Sequence, residues 1–259
     1  MATKSTLVGL AATSLFLSSS VFASNWSSTE MHLQYGDLDQ AFAAPGTSEN
    51  TTIITLQHSS GWDYGGNFFF VDYSSVKSSD SLYLEWYPTF STNSLFDIKY
   101  GGLLSDVSLV MGINAAPESD ILKYLPGVQF SLNLDGFQFF NVLLTGYIDD
   151  NEGIAYGGAP KEDDSWMIDV AWRYPVSAGD QQFYIEGHAE YIDERQTEIP
   201  NVDSNSWTLV QVQMRWDLGK ALSQKPEQLF VGVEYQYWNN KLGTDVDESA
   251  VQFLGVWRF

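Results

Sequence analysis

From Thr29 to the C-terminus, apolar and polar residues alternate with period two, in runs of about ten residues separated by turn-rich or acidic stretches. At the C-terminus Val251, Phe253, Gly255, Trp257 and Phe259 fall on one face, and Gln252, Leu254, Val256 and Arg258 on the other. Leu229, Val231, Val233, Tyr235 and Tyr237 alternate with Phe230, Gly232, Glu234, Gln236 and Trp238. Val210, Val212, Met214 and Trp216 oppose Gln211, Gln213, Arg215 and Asp217, while Phe183, Ile185, Gly187, Ala189 and Tyr191 oppose Tyr184, Glu186, His188 and Glu190. Trp166, Ile168, Val170, Trp172 and Tyr174 oppose Met167, Asp169 and Arg173, and Leu82, Leu84 and Trp86 oppose Tyr83, Glu85 and Tyr87. A looser alternation covers Met31 to Tyr35, Thr51 to His58, Asn67 to Tyr73, Val107 to Ile113, Val128 to Leu134 and Phe137 to Tyr147. The pattern predicts an all-β chain of about twelve strands.

The connections decide between a soluble sandwich and a membrane barrel. Asp135-Gly136 reads as a type I′ hairpin and Ser177 to Asp180 as a tight turn, whereas Asp37 to Asn50, Tyr147 to Asp164, Asp193 to Asn205 and Asn239 to Glu248 are long and acidic and fall at every second connection. Short turns alternating with long loops are expected of an outer-membrane barrel and not of a sandwich. Aromatics gather at strand ends: Trp62 and Tyr64, Trp86 and Tyr87, Trp166, Trp172 and Tyr174, Trp207 and Trp216, and Trp257 and Phe259. Such rings suit the two lipid–water interfaces, where a face is buried and a polar edge stays wet.

Composition narrows the function. The 259 residues carry 33 acids against 12 bases, a formal charge of -21, and no cysteine. That excludes thiolate metal sites and disulfides and makes nucleic acid an improbable partner, because phosphate binding needs clustered bases. The 39 aromatic rings (9 Trp, 14 Tyr, 16 Phe) are too many for a disordered acidic chain. Lys4, the apolar stretch Leu7 to Leu17 and Val21-Phe22-Ala23 have the order of a signal peptide, so residues 1–23 are expected to be removed and residues 24–259 to form the barrel in a bacterial outer membrane. The alternating last strand ending in Phe259, with Trp257 two residues before, is similar to the signature that barrel assembly machinery recognises in outer-membrane proteins.

The stretch Glu85-Trp86-Tyr87-Pro88-Thr89-Phe90-Ser91 resembles the E-x-x-P-x-F-S word that closes the fourth strand of the Tsx-type nucleoside-specific channel family (Tsx-like and OmpK-like barrels). Thr51 to Gln57, Gly61-Trp62-Asp63-Tyr64 and Asn67 to Tyr73 look like that family's second strand, tryptophan turn and third strand. The resemblance covers the layout of the mature chain. It implies a monomeric twelve-stranded barrel, embedded in outer-membrane lipid, whose narrow lumen passes nucleosides. Tyr87 and Thr89 depart from the family pattern, in which an acid often precedes the proline and a base follows it; these departures bear on selectivity more than on fold.

In a barrel the polar faces become the channel wall. The expected lumen residues are Tyr83, Glu85, Tyr87, Asp169, Arg173, Tyr184, Glu186, His188, Glu190, Arg215, Glu234 and Trp238. Amides and carboxylates suit ribose hydroxyls and base edges, and Tyr and Trp offer stacking faces. The alternative is that these groups satisfy one another, with pairs such as Glu186 or Glu234 with Arg215 bracing a plugged interior. His188 between Glu186 and Glu190 is the one arrangement suggestive of acid–base catalysis, but no serine accompanies it, and an enzyme is not expected. No cofactor or metal motif is present. The competing function is a non-conducting structural or adhesive surface barrel, of the kind a phage uses as a receptor; a sealed barrel of that kind would carry more inward bulk.

Overall fold

The computed structural model describes residues 24–259 apart from 45 and 78. The expected signal peptide therefore lies outside the described residues. Twelve strands form one closed antiparallel barrel: β1 (Trp26–Asp39), β2 (Ser48–Trp62), β3 (Gly65–Ser75), β4 (Asp80–Ser91), β5 (Leu104–Ala116), β6 (Ile121–Leu132), β7 (Phe139–Asp149), β8 (Ser165–Ala178), β9 (Gln181–Ile192), β10 (Trp207–Asp217), β11 (Leu229–Asn239) and β12 (Glu248–Arg258). Each strand pairs with its neighbours in sequence, and β1 pairs with β12, Glu30 opposite Arg258, so no edge is left to satisfy inside a membrane. The fold is a transmembrane β-barrel.

Burial alternates plainly along β1, β5, β11 and β12. Outward-facing Met31, Leu33, Ile54, Met111, Leu144, Met214, Val251 and Phe253 are exposed and form the apolar band. Rings at its borders keep their polar tips bonded, as Trp166 does through Nε1 to Asp193 (2.9 Å) and Trp216 through Nε1 to Gln181 (2.8 Å). Tyr87 and Trp207 do not belong to these girdles. Both occupy inward positions of their strands and are buried in the lumen. The ring of Tyr87 lies over Gly112, where a Cβ would stand 2.7 Å from it.

Three further expectations are corrected. β6 begins at Ile121 rather than Val128 and runs through Pro126-Gly127: Pro126 pairs with Met111 on β5, and its missing N–H leaves only a gap in the ladder to β7 between Tyr124 and Gly127. Asp135-Gly136 is not type I′. It lies within the longer connection 133–138, where Gly136 has φ 87° and Asp135 is not left-handed, whereas type I′ needs positive φ at both central residues. Nor do short and long connections alternate strictly. The four acidic loops do share one end of the barrel, but so do the four-residue connections from β3 to β4 and from β5 to β6, and the other end, where Trp26 and Arg258 lie, has the extended segments 92–103 and 218–228, each containing a short helix.

Candidate functional site

The inward faces divide into three tiers. At the end where Trp26 and Arg258 lie, a guanidinium–carboxylate network crosses the lumen. Arg215 Nη1 lies 2.9 Å from Glu30 and 2.5 Å from Glu186; Arg258 Nη2 lies 2.7 Å from Glu30, and its Nη1 lies 2.7 Å from Glu227. Arg173 Nε lies 2.9 Å from Glu186, an ion pair without hydrogen-bond geometry, and its guanidinium stacks on Tyr184 at 4.2 Å. Tyr184 donates to Glu227 at 2.6 Å and packs with Phe230, Leu254 and Val256. Glu227 sits in the turn at the rim; burial opposes its ionisation, but Tyr184, Arg173 and Arg258 outweigh it and hold the carboxyl below its ordinary value. Four of the twelve expected lumen residues, Arg173, Tyr184, Glu186 and Arg215, thus brace this end rather than standing free to meet solute.

Toward the loop end the lumen holds an apolar layer of Leu125, Leu143, Met167, Ile192 and Leu209 with the rings of Tyr147, Trp207 and Trp238. Above it the loops of this end fold inward. Arg195 lies over Trp207 (4.4 Å) and Tyr147 (5.1 Å), and its Nε donates to Glu162 at 3.1 Å; Lys123 donates to Glu162 at 2.6 Å and also pairs with Asp149. Burial disfavours the ionised form of Glu162, yet Arg195 and Lys123 together pull its carboxyl below the usual value. Glu198 ties the two loops together, accepting from the backbone N–H of Ile154 (2.7 Å) and Lys161 (3.0 Å), which lowers its own carboxyl likewise.

Between these plugs lies a polar chamber. His188 Nδ1 is 2.8 Å from Asp169, and its Nε2 is 2.8 Å from Gln211 Oε1. Gln211 Nε2 in turn donates to Gln236 Oε1 (2.8 Å) and Glu234 Oε1 (3.3 Å), which fixes the orientation of its amide. Nε2 of the imidazole therefore faces a carbonyl oxygen and Nδ1 a carboxylate, so both nitrogens donate and His188 is an imidazolium. Neither is free to act as a general base. Glu234, nearly fully buried, has no Lys, Arg or His in contact among the described residues and is solvated by the amides of Gln213 (2.5 Å), Gln252 (3.0 Å) and Gln211. On the opposite wall Tyr83 donates to Glu85 at 2.5 Å, and Asn114 links Glu85 (3.0 Å) to Tyr87 (2.9 Å). Glu85 lies within electrostatic reach of His188, Asp169 and Glu190 across the lumen. Deep as they are, the side chains of His188 and Asp169 remain 31% and 15% accessible, and this surface faces space inside the barrel.

Of the expected lumen residues, the chamber brings together Tyr83, Glu85, Tyr87, Asp169, His188 and Glu190, with Glu234 one amide away; Trp238 stands in the apolar layer. Glu30, Asp72 and Lys123 escaped the sequence reading although their strand parity places them inward, and the sequence leaves the facing of His32 open; Glu162 and Arg195 lie outside the barrel strands, where barrel parity gives no signal. The sequence expectation of a lumen of acids, amides and rings left out the inward aliphatics Leu125, Leu143, Met167 and Leu254.

No family model matches the chain, and a search of curated proteins finds no match to it. Solved structures share its fold. The NanC porin is 13% identical with a TM-score of 0.53, the alignment covering 88% of this chain and 98% of that one. The KdgM porin (10% identity, TM-score 0.50, 89% and 99% covered) and an outer-membrane channel from Pseudomonas putida F1 (10%, 0.50, 92% and 97%) align similarly. At these identities the likeness is one of fold, a closed barrel of the outer-membrane type.

Proposed function

We propose that the chain is a monomeric outer-membrane channel for the passive uptake of nucleosides or similar small polar solutes. The observation that carries this reading is the accessible polar chamber around His188 and Asp169, enclosed by a closed transmembrane barrel. Rings on one wall, Tyr83 and Tyr87, face carboxylates and amides on the other, a combination that stacks a base while bonding hydroxyls. The similar structures are named porins and a channel, which agrees with conduction. Passage requires the Lys123–Glu162–Arg195 contacts at the loop end and the guanidinium network at the other end to yield, so conductance is expected to be small and substrate-dependent. The stretch from Glu85 to Ser91 and the monomeric state follow the resemblance to the Tsx-type family. The experiment is single-channel recording in planar bilayers with and without adenosine.

A second reading has its own observation. Leu125, Phe230 and Leu254 are fully buried inside the barrel, the inward bulk expected of a sealed, structural or adhesive surface protein. Absence of any step conductance across the physiological voltage range would favour it.

A further inference from the structure

The acids of the chamber outnumber its bases. Asp72, Glu85, Asp169, Glu190 and Glu234 lie within electrostatic reach of His188, while Lys123, Arg195 and the three arginines of the opposite plug are engaged with carboxylates of their own tiers. One imidazolium faces five carboxyl groups in this part of the lumen. A second and independent observation points the same way. Gln252 is fully buried and its Nε2 donates into the cluster at Glu234, but its Oε1, on the same amide, has no hydrogen-bond partner among the described residues. A leftover acceptor beside surplus carboxylates is the complement of a donor that carries positive charge. The wall opposite His188 adds ring faces, Tyr83 and Phe70 lying 6.0 Å apart between centroids.

We propose that this chamber binds the ammonium head of an organic amine, with Glu85, Asp169 and Glu190 around the head and the rings of Tyr83 and Phe70 against an attached flat body. Carboxylates supply charge-assisted hydrogen bonds, and a ring face attracts a cation directly. His188 already occupies one quadrant as a fixed cation, so the guest takes the side turned toward β4. The inference rests on the reading that solutes enter the lumen, and it narrows their class: an amine is preferred to a neutral molecule of the same shape, and an anion is refused.

The test uses three probes that share a phenyl ring, benzylammonium, its near-isostere benzyl alcohol and the anion benzoate, titrated calorimetrically into the folded full-length barrel in detergent. Saturable binding of benzylammonium at least about tenfold tighter than that of benzyl alcohol, with none of benzoate, is expected from the strength of hydrogen bonds to charged groups. D169N, shown folded by heat-modifiable migration, should weaken benzylammonium binding by about tenfold, and H188Q, which removes the resident cation, should strengthen it several-fold. Equal affinity for the amine and the alcohol, preference for benzoate, or no binding of any probe overturns the proposal, and these results need no variant to fold. Amine binding without ion conduction would sink the channel reading and leave this inference standing; conduction blocked by adenosine without amine preference would do the reverse.

Discussion

His188 and Asp169 meet at 2.8 Å on a diagonal of the β8–β9 ladder, not across it. Asp169 lies directly opposite Glu190, and Ala171 opposite His188, so the strict register would set two carboxylates face to face. The imidazolium reaches along the strand to neutralise that pair, because like charges opposite each other in a sheet are unfavourable. The mid-lumen order of charges is thereby fixed, and the surplus of acids around it follows.

Arg215 holds the lower plug. Its guanidinium bridges Glu30 and Glu186, with all three side chains largely buried. Arg215→Ala would leave carboxylates buried without their main partner and should cost about 3–5 kcal/mol. The temperature at which the folded, fast-migrating gel band disappears should fall accordingly, whereas Glu118→Gln, at an exposed connection, should leave it unchanged.

The upper plug is expected to be sensitive to acid. The carboxyl of Glu162 lies below its ordinary value because Arg195 and Lys123 outweigh its burial, so its contribution to loop closure is complete above the unfolded value, near 4.5, and is lost as pH falls through the lower folded one. Protease cleavage within 150–164 and 193–206 of the folded barrel should accelerate as the pH is taken below about 4. Glu162→Gln should give the same acceleration at neutral pH. Unchanged cleavage in both cases would remove the latch.

Assembly is expected to depend on the last strand. Trp257 faces lipid, and Phe259, mostly exposed, donates its backbone N–H to Thr29 at 3.0 Å where the barrel closes. Trp257→Ala with Phe259→Ala, or deletion of Phe259, should reduce the heat-modifiable form in outer-membrane fractions several-fold while secretion across the inner membrane continues. Wild-type amounts of folded barrel would argue against an assembly role.

The strand count and the inward face of each clearly alternating strand were legible in the sequence because period two admits only two registers and apolar residues choose between them. That logic placed Tyr83, Glu85, Asp169, His188 and Glu190 in one lumen without any knowledge of contacts. It offered Glu186 or Glu234 as the partner of Arg215 without choosing between them, and the structure takes Glu186; that Arg173 joins there while Glu190 stays in the chamber depends on the stagger and tilt of the strands. Lys123 was hidden because the alternation is legible only from Val128 onward, whereas the strand starts at Ile121 and carries Pro126 within it. The inward aliphatics were passed over for a different reason. Leu254 and Val256 share a face with Gln252 and Arg258, and an apolar residue on a polar face carries no sequence mark of a plug.

Ion selectivity should follow the chamber and not the braced plug. Glu190→Gln and Glu234→Gln should lower the preference for cations, with a larger effect at low salt because screening is weaker. Glu186→Gln should instead loosen the lower plug, since Glu186 already faces Arg173 and Arg215.

Planar-bilayer recording of the wild-type protein in a salt gradient tests the central claim most directly. The account predicts small, cation-preferring steps that adenosine reduces by occupying the chamber and that AMP, carrying a phosphate into an acidic lumen, does not. Anion-selective steps, or equal block by adenosine and AMP, would contradict it.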